Sequence, residues 1–431
     1  MSRYGVRLLR CDGEASLRKE MEAVGADPRG IAIMAPKGSF HLFKLEGLTF
    51  AAASILKQEM LSKGGEAVLS GDIYFGGERT TDVLLMATER TLREVLKVLR
   101  MQPLPSLRQL AEELAAALRH HAGPECPCCR IGGREFRWDE RTYVMGIVNV
   151  TPDSFSGDGV YATMETEGVA CPSERAQAAT ERAVAQALSF LEEGVDIIDV
   201  GGESTRPGSA PIDAQTELSR VIPVVRRLRE VTDAPISIDT YKASVAAEAL
   251  DAGADLVNDV WALQMDPELA PLVAERGVPV ILMHNRSKPK NAAQQERLGG
   301  RYVGIHYHDL MADIIRELRQ RVEHAVRAGI PRSRIIIDPG IGFGKTVEQN
   351  LHLLNHVDEL RVLGLPILAG PSRKSFIGYT LDLPPQERQE GTAAAVALCI
   401  ARGVNMVRVH DARAMVRVVR MSDAIIRAGR A

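Results

Sequence analysis

The feature that most constrains the fold is an alternation that repeats eight times after residue 142. Each repeat has a short apolar run rich in Val and Ile, polar residues at its end, and then a longer amphipathic stretch. The runs are YVMGIVNV, DIIDVG, PISIDT, DLVNDV, PVILMH, IIIDPG, PILAGPS and MVRVHD. Such runs are typical of parallel strands buried on both faces. Eight units over about 290 residues predict a (β/α)8 barrel, with a doubly wound open sheet as the alternative.

Polar residues follow each apolar run, where a barrel carries its catalytic groups. The first run continues into MGIVNVTPDSFSGDG, residues 145 to 159, which has more polar groups than a change of direction requires. The later runs end, in chain order, in GGESTRPGS, Asp239, Asn258 with Asp259, Met283 with His284, Asp338, SRKS, and Arg408 with His410. Because side chains alternate along a strand, Arg408 and His410 share one face and are expected to point together into the barrel mouth.

One group of these residues predicts an anion site. Thr205 and Arg206 lie on a loop constrained by Gly and Pro, and Arg408 and His410 lie across the barrel. Two guanidinium groups and an imidazole suit phosphate or pyrophosphate, because the Arg fork matches phosphate oxygens. A single Arg at a rim would instead be interpreted as a salt bridge. The convergence of the whole group, with Asn149, favours the anion.

A second group predicts a site for a flat heterocycle. Asp239, Asn258 and Asp338 end strands in otherwise apolar surroundings. A buried carboxylate is costly unless it meets hydrogen-bond donors, and an amino group with ring N–H groups would supply them. The alternative for any one aspartate is structural, with the carboxylate holding a loop through backbone N–H groups.

Two glycine-containing segments refine this site. IDPGIGFGKT lacks the spacing of a nucleotide-binding loop, so its glycines are interpreted as letting the loop approach a bound ring. In GPSRKS, Ser372 is predicted to cap a helix through KSFIGYT and so leave N–H groups for a carboxylate. Lys374 would then stand near this anion site and Asp338.

The chain before the barrel is predicted to form two further parts. Residues 1 to 120 are interpreted as a small α/β domain, with IAIMAP, HLFKLEG, AVLS and DVLLMAT as strands and Thr88 as a helix N-cap. Residues 121 to 142 are interpreted as a linker and a β-hairpin that turns at Gly132 and Gly133 and plugs the lower end of the barrel. The barrel would occupy residues 143 to 431.

Composition excludes several classes of protein. A net charge of −3 with no basic face argues against a nucleic-acid-binding protein. There is no run of about 18 apolar residues that predicts a membrane span, and the N-terminus becomes charged too soon for a secretory signal, so a cytoplasmic protein is expected. The CPCC segment has no second ligand pair, so no structural zinc site is expected there.

Seven motifs, in order and at barrel spacing, resemble those of dihydropteroate synthases, the folate-pathway enzymes that sulfonamides inhibit. They are MGIVNVTPDSFSGDG, DVGGESTRPGS, ISIDT, VNDV, IDPGIGFGK, PSRKSFIG and RVHD, within residues 130 to 431. The resemblance implies that 4-aminobenzoate displaces pyrophosphate from (7,8-dihydropterin-6-yl)methyl diphosphate, with Mg²⁺, to give 7,8-dihydropteroate. It also implies a homodimer built on barrel helices.

The resemblance assigns a role to each matching residue. The pterin would be held by Asp239, Asn258, Asp259, Met283, Asp338, Gly342 and Lys374. The diphosphate would be held by Asn149, Thr205, Arg206, Arg408 and His410, with Asn149 also near the metal. The aminobenzoate would contact Phe155, Pro207, Lys374 and Ser375, and catalysis would depend on Asp338, Lys374, Asp239, Arg408 and His410. The family usually reads SFSDGG where this chain has Gly157 and Asp158, which leaves the role of Asp158 open.

Two other functions are compatible with a pterin site. A pterin-dependent methyltransferase barrel would deliver a methyl group to a corrinoid and would not need Arg206, Arg408 and His410. A paralogue could bind pterin without turnover, although every motif position is filled. The N-terminal domain is interpreted as an interaction or stabilising module.

Overall fold

The computed structural model describes residues 5–9, 11, 13–71, 80–151, 172–204, 209–287 and 291–428, and for residues 172–175 it describes only the backbone. The chain forms two compact units. One is Met1–Ala122 together with Arg427–Ala431, and the other is Gly123–Ile426. None of the helices in the described ranges is both long enough and apolar enough to span a membrane.

The N-terminal unit packs helices against a small antiparallel sheet. Its elements are α1 (Glu14–Ala23), α2 (Pro28–Gly38), β1 (Phe40–Thr49), α3 (Phe50–Ser62), β2 (Glu66–Leu69), β3 (Thr80–Thr88), α4 (Glu89–Met101) and α5 (Pro105–Ala122). The sheet order is β1-β3-β2, with both pairings antiparallel. Its core contains Leu56 and Met60 of α3, Leu85 of β3, and Leu92 and Leu99 of α4.

Two local predictions for this unit have different outcomes. Thr88 caps α4 as predicted, because its hydroxyl accepts a hydrogen bond from the Thr91 N–H at 3.2 Å. The prediction that IAIMAP forms a strand is wrong, because these residues lie in α2. Asp27 caps that helix, and its buried residues Ile31 and Ala35 are four apart, which is a helical spacing and not the alternation of a strand.

The second unit begins with a hairpin and continues as alternating strands and helices. Its elements up to the fifth barrel strand are β4 (Cys128–Ile131), β5 (Arg134–Arg137), β6 (Tyr143–Asn149), α6 (Pro172–Glu193), β7 (Ile197–Gly201), α7 (Ala214–Val231), β8 (Ile236–Asp239), α8 (Ala243–Asp251), β9 (Leu256–Asp259), α9 (Leu269–Arg276) and β10 (Val280–Met283). The remainder is β11 (Ala292–Ala293), β12 (Arg301–Tyr302), α10 (Leu310–Arg327), β13 (Ile335–Asp338), α11 (Val347–Asn355), β14 (Leu368–Ala369), α12 (Ser375–Leu381), α13 (Gln389–Ala401), β15 (Met406–Val409) and α14 (Ala412–Arg427).

The main sheet of this unit is a closed parallel barrel. Its strand order is β13-β10-β9-β8-β7-β6-β15-β14. A parallel bridge between Ile337 and Ile367 joins the two end strands, so the described strands surround one interior. The predicted (β/α)8 barrel is therefore confirmed, and the open-sheet alternative is excluded.

The hairpin β4-β5 closes the lower end of the barrel, as predicted. Gly132 turns the hairpin with a φ of 57°. Phe136 and Trp138 are buried in one cluster with residues from seven barrel strands, namely Tyr143, Met145, Ile197, Leu256, Ile281, Ile336, Leu368 and Met406. Burying a side chain as large as Phe136 contributes about 1.5–3 kcal/mol. This apolar layer fills the lower end of the barrel among the described residues, so a ligand would enter from the opposite end.

Candidate functional site

Strand alternation places polar side chains directly above the apolar layer. In β6, Val144 and Val148 pack outward with the surrounding helices, whereas Met145 points into the barrel. Two residues beyond the apolar layer, the inward register carries Asp199, Asn258, Met283, Asp338, Gly370 and Arg408. Asp239, at the end of β8, and Asn149, at the end of β6, complete the ring. On most strands the barrel interior therefore changes from apolar to polar within one pair of residues, whereas β10 and β14 lead to Met283 and Gly370 at this level.

Arg408 is the centre of the polar layer. Its Nε donates to Asp199 Oδ2 at 2.6 Å, and its Nη2 donates to Asp239 Oδ2 at 2.7 Å. Asn258 Nδ2 donates to the same Asp199 oxygen at 3.1 Å. The buried Asp199 carboxylate thus orients both the Arg408 guanidinium and the Asn258 carboxamide. The predicted anion residue Arg408 and the predicted heterocycle residues Asp239 and Asn258 form a single network.

Sequence reasoning did not identify Asp199. This side chain is fully buried, and its Oδ1 has no hydrogen-bond partner among the described residues. A usable signal was present in the run DIIDVG, where a charged residue stands in a strand that is otherwise apolar on both faces. Such a residue is costly without a partner, so it predicts a buried cation nearby.

Two carboxyl groups of the site have pKa values close to neutral. Burial raises the pKa of Asp239 to about 7, with Arg408 opposing the rise and Asp199 increasing it. Burial also raises the pKa of Asp338 to about 6, opposed by the Gly340 N–H, which donates to its Oδ1 at 2.7 Å. Lys374 and Arg408 oppose the rise for Asp338 as well. Perturbed carboxyl groups in a cavity are a physical indication of a functional site.

A cavity of about 140 Å³ is lined by members of both predicted groups. Among its lining residues are Asn149, Asp239, Gly342, Phe343, Ser372, Lys374, Ser375, Arg408 and His410. Lys374 Nζ lies 4.0 Å from the centroid of the Phe343 ring. Gly342 has a φ of 80°, and a Cβ at this position would lie 2.9 Å from Lys374 Cδ. The absence of a Cβ at Gly342 therefore allows the loop to lie against the Lys374 side chain.

His410 lies on the cavity beside Ser372, and the prediction for Ser372 is wrong. Ser372 does not cap α12, which begins at Ser375 with Lys374 as its N-cap residue. Its hydroxyl instead accepts from the His410 N–H at 3.1 Å and lies 3.1 Å from His410 Nδ1. Arg373 has a left-handed φ of 54°, and this turn delays the start of the helix.

Four predicted pterin residues are not among those that line this cavity, namely Asn258, Asp259, Met283 and Asp338. Asn258 and Asp338 belong to the polar layer, where they contact Asp199 and the Gly340 N–H. Asp259 accepts from the backbone N–H groups of Trp261 at 2.8 Å and Leu263 at 2.6 Å, so its carboxylate holds the loop after β9. Because it follows Asn258 directly, it points away from the barrel interior. Met283 packs against Phe343 and also lines a second cavity of about 650 Å³, which shares no lining residue with the first.

Several predicted site residues lie outside the described residues. They are Phe155, Thr205, Arg206 and Pro207, together with Asp158, whose role the sequence leaves open. Glu203 and Ser204, which precede the second of these segments, line the cavity. The last described residues before that segment therefore lie at the cavity.

The predicted metal residue, Asn149, offers an oxygen ligand at the cavity wall. No group of three or more His, Cys, Asp or Glu side chains suited to a metal occurs in the described part of the chain. Mg²⁺ prefers oxygen ligands, keeps several waters, and is commonly bound through substrate phosphates with few protein groups. A single carboxamide oxygen beside an anion site fits that mode of binding.

Comparison with known proteins places this arrangement among pterin-binding enzymes. The sequence model described as "Pterin binding enzyme" matches residues 145–410. A dihydropteroate synthase of Bacillus subtilis is 44% identical over 292 residues, which are 68% of this chain and 91% of that protein. A solved dihydropteroate synthase of Xanthomonas albilineans with 4-aminobenzoic acid has a TM-score of 0.59 and 40% identity, covering 70% of this chain and 98% of its own.

One relative extends beyond the barrel. A probable bifunctional folylpolyglutamate synthase/dihydropteroate synthase of Halobacterium salinarum is 39% identical over 408 residues, which are 94% of this chain and 45% of that protein. A match of this length includes most of the N-terminal unit.

Proposed function

The chain belongs to the dihydropteroate synthase family of pterin-binding enzymes, and from this premise we propose that it condenses (7,8-dihydropterin-6-yl)methyl diphosphate with 4-aminobenzoate. The products would be 7,8-dihydropteroate and pyrophosphate. The observation that carries the proposal is the network in which Arg408 contacts Asp199 and Asp239 at the mouth of one barrel. The network places the Asp239 carboxylate, an acceptor for the heterocycle, within hydrogen-bonding distance of the Arg408 guanidinium, a cation for the diphosphate of the same substrate.

The acceptors bind the pterin. Asp338 is a buried carboxyl group, Asp239 is a carboxyl group with a side-chain exposure of 10%, and Asn258 is a buried carboxamide oriented by Asp199. An aminopyrimidinone ring presents an amino group and ring N–H groups, which are the donors that these oxygens need. Phe343 and Lys374 flank the same cavity and would cover a face of the ring.

The cationic side of the cavity binds the diphosphate. Arg408 and His410 line it, and His410 is oriented by the Ser372 hydroxyl. Thr205 and Arg206 would complete the anion site. Asn149 would hold Mg²⁺ through its carboxamide oxygen, and the ion, when bound, would neutralise charge on the diphosphate. Guanidinium groups and an imidazole would act in the same direction, which makes pyrophosphate a better leaving group.

The reaction breaks a C–O bond and forms a C–N bond at the same methylene carbon. As pyrophosphate departs with the bonding electrons, the pterin ring delocalises the positive charge left on that carbon. The Asp338 carboxylate stabilises this charge electrostatically. The lone pair of the neutral arylamine then forms the new bond, and the nitrogen releases a proton. An arylamine lone pair is already available, so no strong general base is required.

The aminobenzoate would bind over the exposed side of the pterin. Lys374 and Ser375 line the cavity at the start of α12, and Phe155 and Pro207 would contribute from the two loops after β6 and β7. Placement of the amine beside the methylene carbon supplies the proximity that makes the displacement effectively unimolecular.

The enzyme is also proposed to be a cytoplasmic homodimer. Large apolar side chains are exposed on α13 and α14, including Leu398 at 60%, Met421 at 61% and Ile425 at 62%. A contiguous patch of exposed apolar groups marks a subunit interface, and α13 and α14 precede and follow the same strand, β15. Sedimentation velocity should show a dimer, and Met421→Glu should shift it towards monomer. A monomeric wild-type protein would contradict this part of the proposal.

Incubation of the protein with the pterin diphosphate, labelled aminobenzoate and Mg²⁺ tests the reaction. Labelled dihydropteroate with release of one pyrophosphate per product supports the synthase. Pterin binding without product would identify a paralogue without turnover, and methyl transfer from a methylated pterin to a corrinoid would identify a methyltransferase.

A further inference from the structure

A buried lysine lies beside the proposed pterin site. Lys345, from the segment IDPGIGFGKT, has a relative exposure of 2%. Its Nζ lies 3.0 Å from His284 Nδ1, 3.0 Å from the Gly340 carbonyl oxygen and 3.1 Å from the Phe343 carbonyl oxygen. An ammonium group has three N–H donors, so these acceptors use all of them. This lysine therefore does not face a ligand.

The His284 contact extends the network to α10. His284 is also buried, and its Nε2 lies 3.0 Å from Glu317 Oε2. Because Nδ1 accepts from Lys345, the ring proton belongs on Nε2, where it donates to the Glu317 carboxylate. Arg286 donates to the other side of Glu317, with Nε 3.0 Å from Oε1. The lysine is thus held by a chain of hydrogen bonds anchored on a helix outside the barrel.

The carbonyl contacts determine the path of residues 340–344, the cavity loop. Gly340 has a φ of 69°, and a Cβ there would lie 1.9 Å from the His284 carbonyl oxygen, so the loop lies against the end of β10. On its other side, Gly342 and Phe343 line the cavity. Lys345 therefore holds one side of the cavity loop through its carbonyl groups, and the other side of the loop forms part of the proposed pterin site.

Asp338 ends β13 two residues before the cavity loop. The Gly340 N–H donates to Asp338 Oδ1, and the Gly340 carbonyl accepts from Lys345. One peptide segment consequently connects the buried ammonium group to the carboxylate assigned to the reacting pterin.

We propose that Lys345 is a positioning residue of the pterin site, which it serves by fixing the cavity loop and, in its ammonium form, by placing a positive charge close to Asp338. The inference rests on the proposed function. It separates Lys345 from Lys374, which lines the cavity itself, and it gives the closing Gly-Lys-Thr of the segment a role other than nucleotide binding.

The charges around the two groups give the direction of the pH effect. The charges of Asp338 and Glu317 raise the pKa of Lys345, and those of Arg286 and Lys374 lower it. His284 is in direct contact with Lys345. The pKa of Asp338 is lowered by the charges of Lys374, Arg408 and Lys345, and the Asp338 charge raises the pKa of the buried Cys399 thiol. Burial lowers the pKa of Lys345 to about 7, and Asp338 opposes the decrease. Removal of the ammonium group raises the pKa of Asp338 further, because one of its opposing charges is lost.

The test compares Lys345→Met with Lys97→Met, which makes the same chemical change at an exposed position in the N-terminal unit. Lys345→Met is expected to raise the KM for the pterin diphosphate by about tenfold while the KM for aminobenzoate changes less than about twofold. The acidic limb of the pH profile of kcat/KM should move to higher pH. Lys97→Met should match the wild type. Circular dichroism and thermal melts establish that each variant folds.

A second readout separates this inference from the proposed function. Calorimetric titration with 6-hydroxymethyl-7,8-dihydropterin measures the pterin site without turnover, and Lys345→Met should weaken it by about tenfold. If the wild type is inactive but still binds pterin about tenfold more tightly than Lys345→Met, the proposed synthase activity is contradicted and the positioning role is retained. Equal pterin affinity, or a parallel loss for both substrates with an unmoved pH profile, would overturn the positioning role.

If Lys345→Met does not fold, Glu317→Gln provides the comparison. This change removes the carboxylate charge that anchors His284 and leaves the sequence of the cavity loop unchanged. An increase of about threefold in the pterin KM alone is expected, since the chain is weakened and not broken. Unchanged pterin KM and pH profile in a folded Glu317→Gln protein would then count against the proposal.

Discussion

Arg408 Nη2 lies 2.7 Å from Asp239 Oδ2, although the two residues are 169 positions apart in the chain. The sequence assigns one to an anion and the other to a heterocycle. Their ion pair shows that the two proposed subsites share an edge. A substrate that carries both groups would meet a preorganised pair, with the guanidinium also held by Asp199.

Asp199→Asn should lower kcat/KM by at least about tenfold, which corresponds to about 1.4 kcal/mol. The change removes the charge that orients Arg408 and Asn258. Asp196→Asn is the matched control, because Asp196 pairs with Arg141 and contacts the Val144 N–H, near the start of the same strand. Steady-state kinetics, normalised to folded protein, should show the loss only for Asp199. Equal activities would contradict the orienting role.

Asp338→Asn should lower turnover at least about tenfold, because the neutral amide cannot stabilise a developing cation as a carboxylate does. It should also flatten the acidic limb of the pH profile, since the pKa of about 6 belongs to Asp338. Rates at pH 5 to 8 measure both effects. A retained limb near pH 6 would assign it to another group, such as Asp239.

Lys374→Ala should likewise reduce turnover at least about tenfold. Its ammonium group lies over the Phe343 ring at the cavity wall, and the aliphatic chain packs on Gly342. Single-turnover and steady-state rates can be compared with those of Lys97→Ala. Near-normal rates for both Lys374→Ala and Asp338→Asn would overturn their assigned roles.

Gly342→Ala should weaken pterin binding more than it weakens folding. The new Cβ would require Lys374 to move, in addition to the left-handed strain of about 1–2 kcal/mol. Gly64→Ala imposes nearly the same φ, 76°, with nothing within 4 Å of the added carbon. Urea unfolding should therefore show similar losses for the two variants, whereas pterin titration should separate them. Equal pterin affinities of Gly342→Ala and Gly64→Ala would show that displacement of Lys374 does not affect the pterin site.

His284 should make folding less favourable as the pH falls. Burial lowers the pKa of His284 to about 4, with Lys345 contributing, below the value of about 6.5 for an unfolded chain. The unfolded state therefore binds the proton more tightly, and the stability from neutral His284 is lost between about pH 6.5 and 4. Asp239 and Asp338, whose pKa values are raised, contribute in the opposite direction. The difference in unfolding free energy between the wild type and His284→Gln, followed over this range, isolates the histidine. A difference independent of pH would contradict the assignment.

Much of the architecture was predictable because it depends on local pattern. Repeated Val-rich and Ile-rich runs require burial on both faces, and alternation then places residues such as Asn149 and Arg408 at the mouth. Thr88 could be identified as a cap because its hydrogen bond spans three residues. IAIMAP was misassigned because a short apolar run is compatible with a strand or a helix, and the cap at Asp27 decides between them.

The partners of the polar side chains could not be predicted in the same way. Asn258 and Asp259 are adjacent at a strand end, yet one faces the barrel interior and the other holds a loop. Ser372 could have capped a helix, but the left-handed turn at Arg373 brings it to His410. Spacing argued against a nucleotide-binding loop at Lys345, but the three acceptors that hold its side chain could be identified only in the structure.

The sequence by itself determined the barrel, its plugging hairpin, the rim that carries the chemistry, and the family resemblance, because these depend on periodicity and on short ordered motifs. Only the tertiary structure decided that Asp199 holds Arg408, and that Lys345 ties the cavity loop. The physical reason is that a buried charge is stabilised by whichever opposite charge or acceptor the fold brings within about 3 Å, and for Arg408 and Asp199 that partner is 209 residues away.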